Sequence, residues 1–139
     1  MSDDARPRAI QPVGWRAPTG YANGVSVPRG RVLYVAGQVG WNPISGEFNH
    51  DDFIGQARQA LANVVAVLRA GGATPEHLVR LTWYVTSRDE YVAARRALGD
   101  AYRELLGPHY PAMSLLVVSA LLEPRAKVEI EATAVVPDE

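Results

Sequence analysis

The amino-acid sequence predicts one α+β domain, a mostly antiparallel or mixed sheet covered on one face by two helices. Two segments, Phe53 to Leu68 and Tyr91 to Leu105, repeat apolar residues every three or four positions, as one-sided helices do. Around them lie alternating segments, giving the order β-β-α-β-α-β-β. A chain of 139 residues encloses one hydrophobic core and not two. Two helices with one apolar stripe each bury it most simply against one face of a shared sheet.

The elements follow in order. Residues 1–20, with Pro7, Pro12 and Pro18, read as an extended arm, and residues 21–139 as the folded domain. Gly24-Val25-Ser26-Val27 and Arg31 to Ala36 flank Pro28-Arg29-Gly30 and predict a hairpin. Trp41-Asn42-Pro43-Ile44-Ser45-Gly46 closes the second strand with loop chemistry. The first helix carries Phe53, Ala57, Leu61, Val64 and Leu68 on one stripe, with Asp51 and Asp52 at its positive end and Gly71-Gly72 as its stop. A short turn at Thr74-Pro75-Glu76 leads into a strand in which Leu81, Trp83 and Val85 alternate with Arg80, Thr82 and Tyr84. Ser87-Arg88-Asp89-Glu90 has the form of a capping box, opening a second helix with stripe Tyr91, Ala94, Leu98, Ala101 and Leu105, ended by Gly107-Pro108. Two strands, about 112–120 and 127–135, finish the chain.

The second sheet face needs a partner. In the last strand Val128, Ile130, Ala132 and Ala134 point one way and Lys127, Glu129, Glu131 and Thr133 the other. The strand before it is apolar on both sides, since Met113, Leu115 and Val117 alternate with Ser114, Leu116 and Val118. An exposed apolar patch of this kind marks an interface. Association with further copies of the chain is the expected outcome.

Composition excludes several function classes. The net charge of −1 and scattered basic residues give no electrostatic case for nucleic acid as a partner. The absence of cysteine removes disulfides, thiolate metal sites and cysteine nucleophiles. His50, His77 and His109 lack metal-ligand spacing, so no metal is expected. No apolar run approaches the roughly 18 residues of a membrane span, and Met1-Ser2-Asp3-Asp4-Ala5-Arg6 is too polar for a signal peptide; a cytoplasmic protein without membrane contact is expected. Gly37-Gln38-Val39-Gly40 lacks the spacing of a P-loop or a dinucleotide fingerprint. There is no serine-centred nucleophile elbow.

Three short segments carry more information. Leu33-Tyr34-Val35-Ala36-Gly37-Gln38, His109-Tyr110-Pro111-Ala112-Met113-Ser114 and Lys127-Val128-Glu129-Ile130-Glu131-Ala132, in that order, resemble the signature of the RidA (YjgF) family of small trimeric enamine and imine deaminases. The resemblance runs from Tyr21 to Val135. It implies a chorismate-mutase-like fold, a homotrimer with helices outside and three sheets inside, a small-molecule pocket at each subunit boundary, and no cofactor. Carried over residue by residue, Glu129 falls where a carboxylate holds and activates the attacking water. Tyr21 matches an aromatic pocket residue, Gly37 a turn whose backbone contacts substrate, and Tyr91 an aromatic wall. Ala36 stands where a serine is common.

Two departures bear on the reaction. The family pattern has an arginine after the Pro-Ala pair, where it anchors the substrate carboxylate; here Met113 occupies that place, and Leu115 replaces a small or sulfur-containing pocket residue. Methionine makes none of the paired, charge-assisted hydrogen bonds of a guanidinium. Each such bond contributes about 1.5–3 kcal/mol. The expected substrate is therefore atypical: a non-amino-acid compound, neutral or more apolar than a 2-imino acid. A non-catalytic trimer that binds a metabolite or a partner protein in the same pocket is the competing reading. His109 is either a loop residue or a donor into the pocket, and Glu129 either directs water or is an interfacial carboxylate paired with Lys127 or an arginine. Arg95 and Arg96 read as solvated helix surface, and Trp41 and Trp83 as packing residues.

Overall fold

In the computed structural model, which describes residues 5–138, the chain runs β1 (Arg8–Ile10), β2 (Gly24–Ser26), β3 (Arg31–Val39), α1 (Phe53–Ala70), a short 3-10 turn (Pro75–His77), β4 (Leu78–Val85), α2 (Arg88–Ala93), α3 (Arg95–Leu106), β5 (Ala112–Val117) and β6 (Val128–Val136). The first residues of the arm, 1–4, lie outside the described residues. Four strands form a mixed sheet in the order β3-β6-β4-β5, with β6 antiparallel to both neighbours and β4 parallel to β5. The α+β layer structure expected from the two stripes is the one the chain adopts.

Local chemistry starts α1 and α2 where the sequence predicts. Asp52 caps α1, its Oδ2 accepting from the Gly55 backbone N–H at 2.8 Å. Ser87 caps α2 by accepting from the Glu90 N–H at 3.1 Å. Only half of the capping box forms there, because the Glu90 carboxylate pairs with Lys127 at 3.2 Å instead. The first stripe is buried without exception: Phe53, Ala57, Leu61, Val64 and Leu68 all sit in the core with Leu81, Trp83, Val85, Val128, Ile130, Ala132 and Ala134 from the sheet. Gly40 makes the approach possible, since a Cβ there would lie 2.5 Å from the Gln56 carbonyl oxygen and 2.6 Å from its Cα.

Two local expectations are corrected. Residues Gly24–Ser26 do not form a hairpin with Arg31–Val39; β2 pairs with β1 of the arm, and β3 pairs with β6. A three-residue strand offers β3 far less than the nine-residue β6 does. The second helix is two: it breaks at Ala94, which ends α2 and opens α3 with φ −98° and ψ 3°. The buried stripe of α3 accordingly shifts to Leu98, Ala101, Tyr102 and Leu106.

The face of the sheet away from the helices carries Val32, Tyr34, Tyr84, Leu116, Glu129, Glu131 and Thr133 by register. Tyr34 is 78% exposed and Leu116 44%. In the single chain this second face is open, as the alternation predicts.

Candidate functional site

The residues singled out by sequence fall into two groups on opposite sides of the sheet. Glu129 and Gly37 form the first group. Register pairs Tyr84 with Glu129 on the open face. A bulge between Val35 and Gln38 sets Ala36 and Gly37 against one residue of β6, so the ladder is interrupted beside the carboxylate. Gly37 leaves room for it: a Cβ at that position would lie 2.8 Å from Glu129 Cδ. Gln38 closes the bulge by donating its side-chain amide to the Ala36 carbonyl at 3.0 Å.

Among the described residues Glu129 has neither a side-chain hydrogen bond nor an ion pair. Lys127, the structural partner weighed for it, is taken by Glu90. The neighbouring carboxylate, Glu131, accepts from the Tyr84 hydroxyl at 2.8 Å. That hydrogen bond, with the desolvation and negative charge around it, raises the Tyr84 hydroxyl above its ordinary value of 10.0. The hydroxyl therefore stays protonated and remains a donor through neutral pH.

Tyr21, Tyr91, Met113 and Leu115 make the second group. They line an open groove of about 910 Å³ on the helix side, between β5 and the α2–α3 pair, with Trp83, Arg95, Leu98, Tyr102 and Tyr110 among its other walls. Met113 and Leu115 point this way because they pair in register with Leu81 and Trp83, whose side chains face the helices. Tyr21 reaches the groove because Ala22 bridges to Ala112 and its N–H donates to the Pro111 carbonyl at 3.0 Å. The segment before β5 is held by Tyr102, which stacks on Tyr110 at 5.1 Å between ring centroids and donates its hydroxyl to the His109 carbonyl. Burial holds the Tyr102 hydroxyl well above the ordinary tyrosine range.

His109 belongs to neither group. It lines a separate cavity of about 460 Å³ with Tyr21 and Pro111. Arg95 is exposed, as expected of helix surface, and its side chain borders the groove, with its guanidinium 5.8 Å from the Tyr91 ring centroid. Trp83 is buried in the core as expected, yet it also lines the groove, and its Nε1–H has no hydrogen-bond partner. Sequence reasoning passes over Tyr102 and the groove-side position of Arg95, although Tyr91, Arg95, Leu98 and Tyr102 recur at helical spacing. Among the described residues no three His, Asp or Glu side chains gather where a metal ion could sit, and no helix is long and apolar enough to cross a membrane.

Known proteins share this fold. The family model described as Endoribonuclease L-PSP matches residues 15–136. A protein of the conserved Rid family from Yersinia pestis, YyfB, of unknown function, superposes with a TM-score of 0.81 at 38% identity, over 94% of this chain and 99% of its own. TdcF of E. coli, solved with bound serine, gives a TM-score of 0.68 at 27% identity, over 99% and 98% of the two chains. The 2-iminobutanoate/2-iminopropanoate deaminase of Capra hircus is 32% identical over 105 residues, covering 76% of this chain and 73% of the relative. With its segments, its fold and these likenesses in agreement, the chain belongs to the RidA (YjgF) family.

Proposed function

We propose that the protein is a RidA-like hydrolase of a small imine or enamine with an apolar body. Glu129 directs the water in a cleft formed between subunits of a homotrimer. One observation carries this reading. Glu129 and Gly37 stand on the open sheet face, while Tyr21, Tyr91, Met113 and Leu115 line a groove on the other side. One copy cannot bring the two groups together, and a second copy packed on the open face can. The exposed Tyr34 and Leu116 supply an apolar surface for that packing. Family relatives named as imine deaminases support the reaction class.

In this reading the carboxylate of Glu129 accepts a proton from water as the oxygen adds to the C=N carbon. The proton passes to the nitrogen to give a carbinolamine; its hydroxyl proton then passes to the nitrogen through the same carboxylate, the C=O bond forms as the C–N bond breaks, and ammonia leaves with a carbonyl compound as the second product. No oxidant or reductant is required. The bulge at Ala36-Gly37 lies beside Glu129, which supports a role for its backbone groups in holding the substrate.

The test is turnover of imines made in situ from leucine, methionine and phenylalanine by an amino-acid oxidase. The wild type should accelerate conversion to the 2-oxo acid. Glu129→Gln should lower that rate by about 10²-fold or more, the scale of a lost general base, with unchanged mass in solution. Equal rates in the two proteins overturn the reading. Ligand binding without turnover in either protein assigns the cleft to metabolite binding instead.

A further inference from the structure

The groove contains a guanidinium where the strand beneath it has none. Arg95 projects from the first turn of α3 into the space walled by Tyr91, Met113 and Leu115. Among the described residues it has no carboxylate partner; its one contact of note is the Tyr91 ring. The other arginine lining the groove, Arg103, is bound to Asp100 at 2.6 Å and is partly neutralised. On the opposite wall the Trp83 indole, 3% exposed, keeps an N–H without any acceptor. A buried donor left unpaired is destabilising, and native interiors rarely accept that unless a ligand or water completes the bond. A solvent-exposed guanidinium without a carboxylate partner and a buried indole N–H without an acceptor thus belong to residues that line one groove.

We propose that Arg95 and the Trp83 N–H together recognise the carboxylate of the ligand held in this groove. The anion clamp then sits on α3 and β4, and Met113 and Leu115 face the ligand's apolar body. A substrate without a carboxylate was expected from Met113 alone; Arg95 removes the ground for that expectation. The ligand class becomes a carboxylate attached to an apolar group longer than that of a small imino acid. This inference rests on reading the groove as the substrate half of the proposed cleft. Arg95 serves specificity: helical spacing sets it on one line with Tyr91 and Leu98, which brings its guanidinium beside the Tyr91 ring.

The probe is 2-oxo-4-methylpentanoate, a stable ketone analogue of an apolar imino acid, compared with its neutral primary amide by titration calorimetry on the intact protein. The wild type should bind the acid at least about ten-fold more tightly than the amide, as expected for a charge-assisted pair. Arg95→Met should abolish that preference, and Arg95→Lys, which keeps the charge and loses the fork, should retain part of it. In parallel, one of the three tryptophan indole N–H resonances should move on addition of the acid, and Trp83→Phe should remove that resonance. Equal affinity of the wild type for acid and amide, an undiminished preference in Arg95→Met, or an unmoved Trp83 resonance each overturns the inference. Failure of the Glu129→Gln test would leave the Arg95-dependent preference intact, so the two readings fail separately.

Discussion

At the scale of single residues, the face occupied by Glu129 was legible from alternation alone, because Val128 and Ile130 on either side are fully buried against the helices. Its lack of a partner was not legible, since Lys127 belongs to Glu90, thirty-seven positions away. Asp52 illustrates a residue whose role the sequence states outright. Its carboxylate accepts the Gly55 N–H, and that bond holds its pKa below the ordinary 3.8. A carboxylate depressed in the folded state stabilises the fold above its unfolded pKa, and the contribution is lost as pH falls through the depressed value. Asp52→Ala should therefore cost about 0.5–2 kcal/mol at pH 7, and the difference should shrink as the pH drops below 3.8. Asp52→Asn, which caps almost as well, should retain most of the stability at pH 7. Denaturant titrations of the three proteins at neutral and acid pH check the sign.

At the scale of elements, α1 owes its position as much to two buried amides as to its apolar stripe. Gln56 donates to the His50 carbonyl at 3.1 Å and the Arg125 carbonyl at 3.0 Å, and accepts from the Lys127 N–H at 2.8 Å. Asn63 donates to the carbonyls of Val39 and Trp41 at 3.2 and 3.0 Å. These bonds tie the start of β6 and the end of β3 to the helix. Gln56→Leu keeps the volume and strands three backbone groups, so it should destabilise the protein by at least about 2–3 kcal/mol in urea unfolding. A change below about 0.5 kcal/mol would show that water replaces the amide. The amide positions were visible in sequence, but periodicity assigns residues to a buried face without naming their partners. The same limit explains the misassigned hairpin: Pro28-Arg29-Gly30 reads as a turn, and a turn does not specify which strand each arm joins. Nothing in Tyr91 to Leu98 marks the break at Ala94 with proline or glycine, so the stripe alone reads as one helix.

At the scale of the whole molecule, the sheet has one covered face and one open face, and the two halves of the candidate cleft are divided between them. The open face mixes Tyr34, Val32 and Leu116 with Glu129, Glu131 and Thr133. Burying the apolar members would remove a patch that a monomer gains nothing by exposing. The polar members are then left where the cleft needs a carboxylate. That this face is left open by the helices was legible in the two-sided β5 and the half-polar β6. The identity of the groove was not, because its walls come from separate segments that meet only in the fold.

Cross-linking between subunits is the measurement that decides the central claim. The chain has no cysteine, so Met113→Cys and Glu129→Cys can be introduced together without background. Within one copy the two side chains lie on opposite faces of the sheet and cannot be joined by a short bis-maleimide. If the groove of one subunit meets the open face of the next, the reagent should yield covalent species of two and three times the 15.1 kDa chain mass, closing at three. A product that stays at the mass of one chain, under conditions where both thiols are alkylated, would contradict the shared cleft.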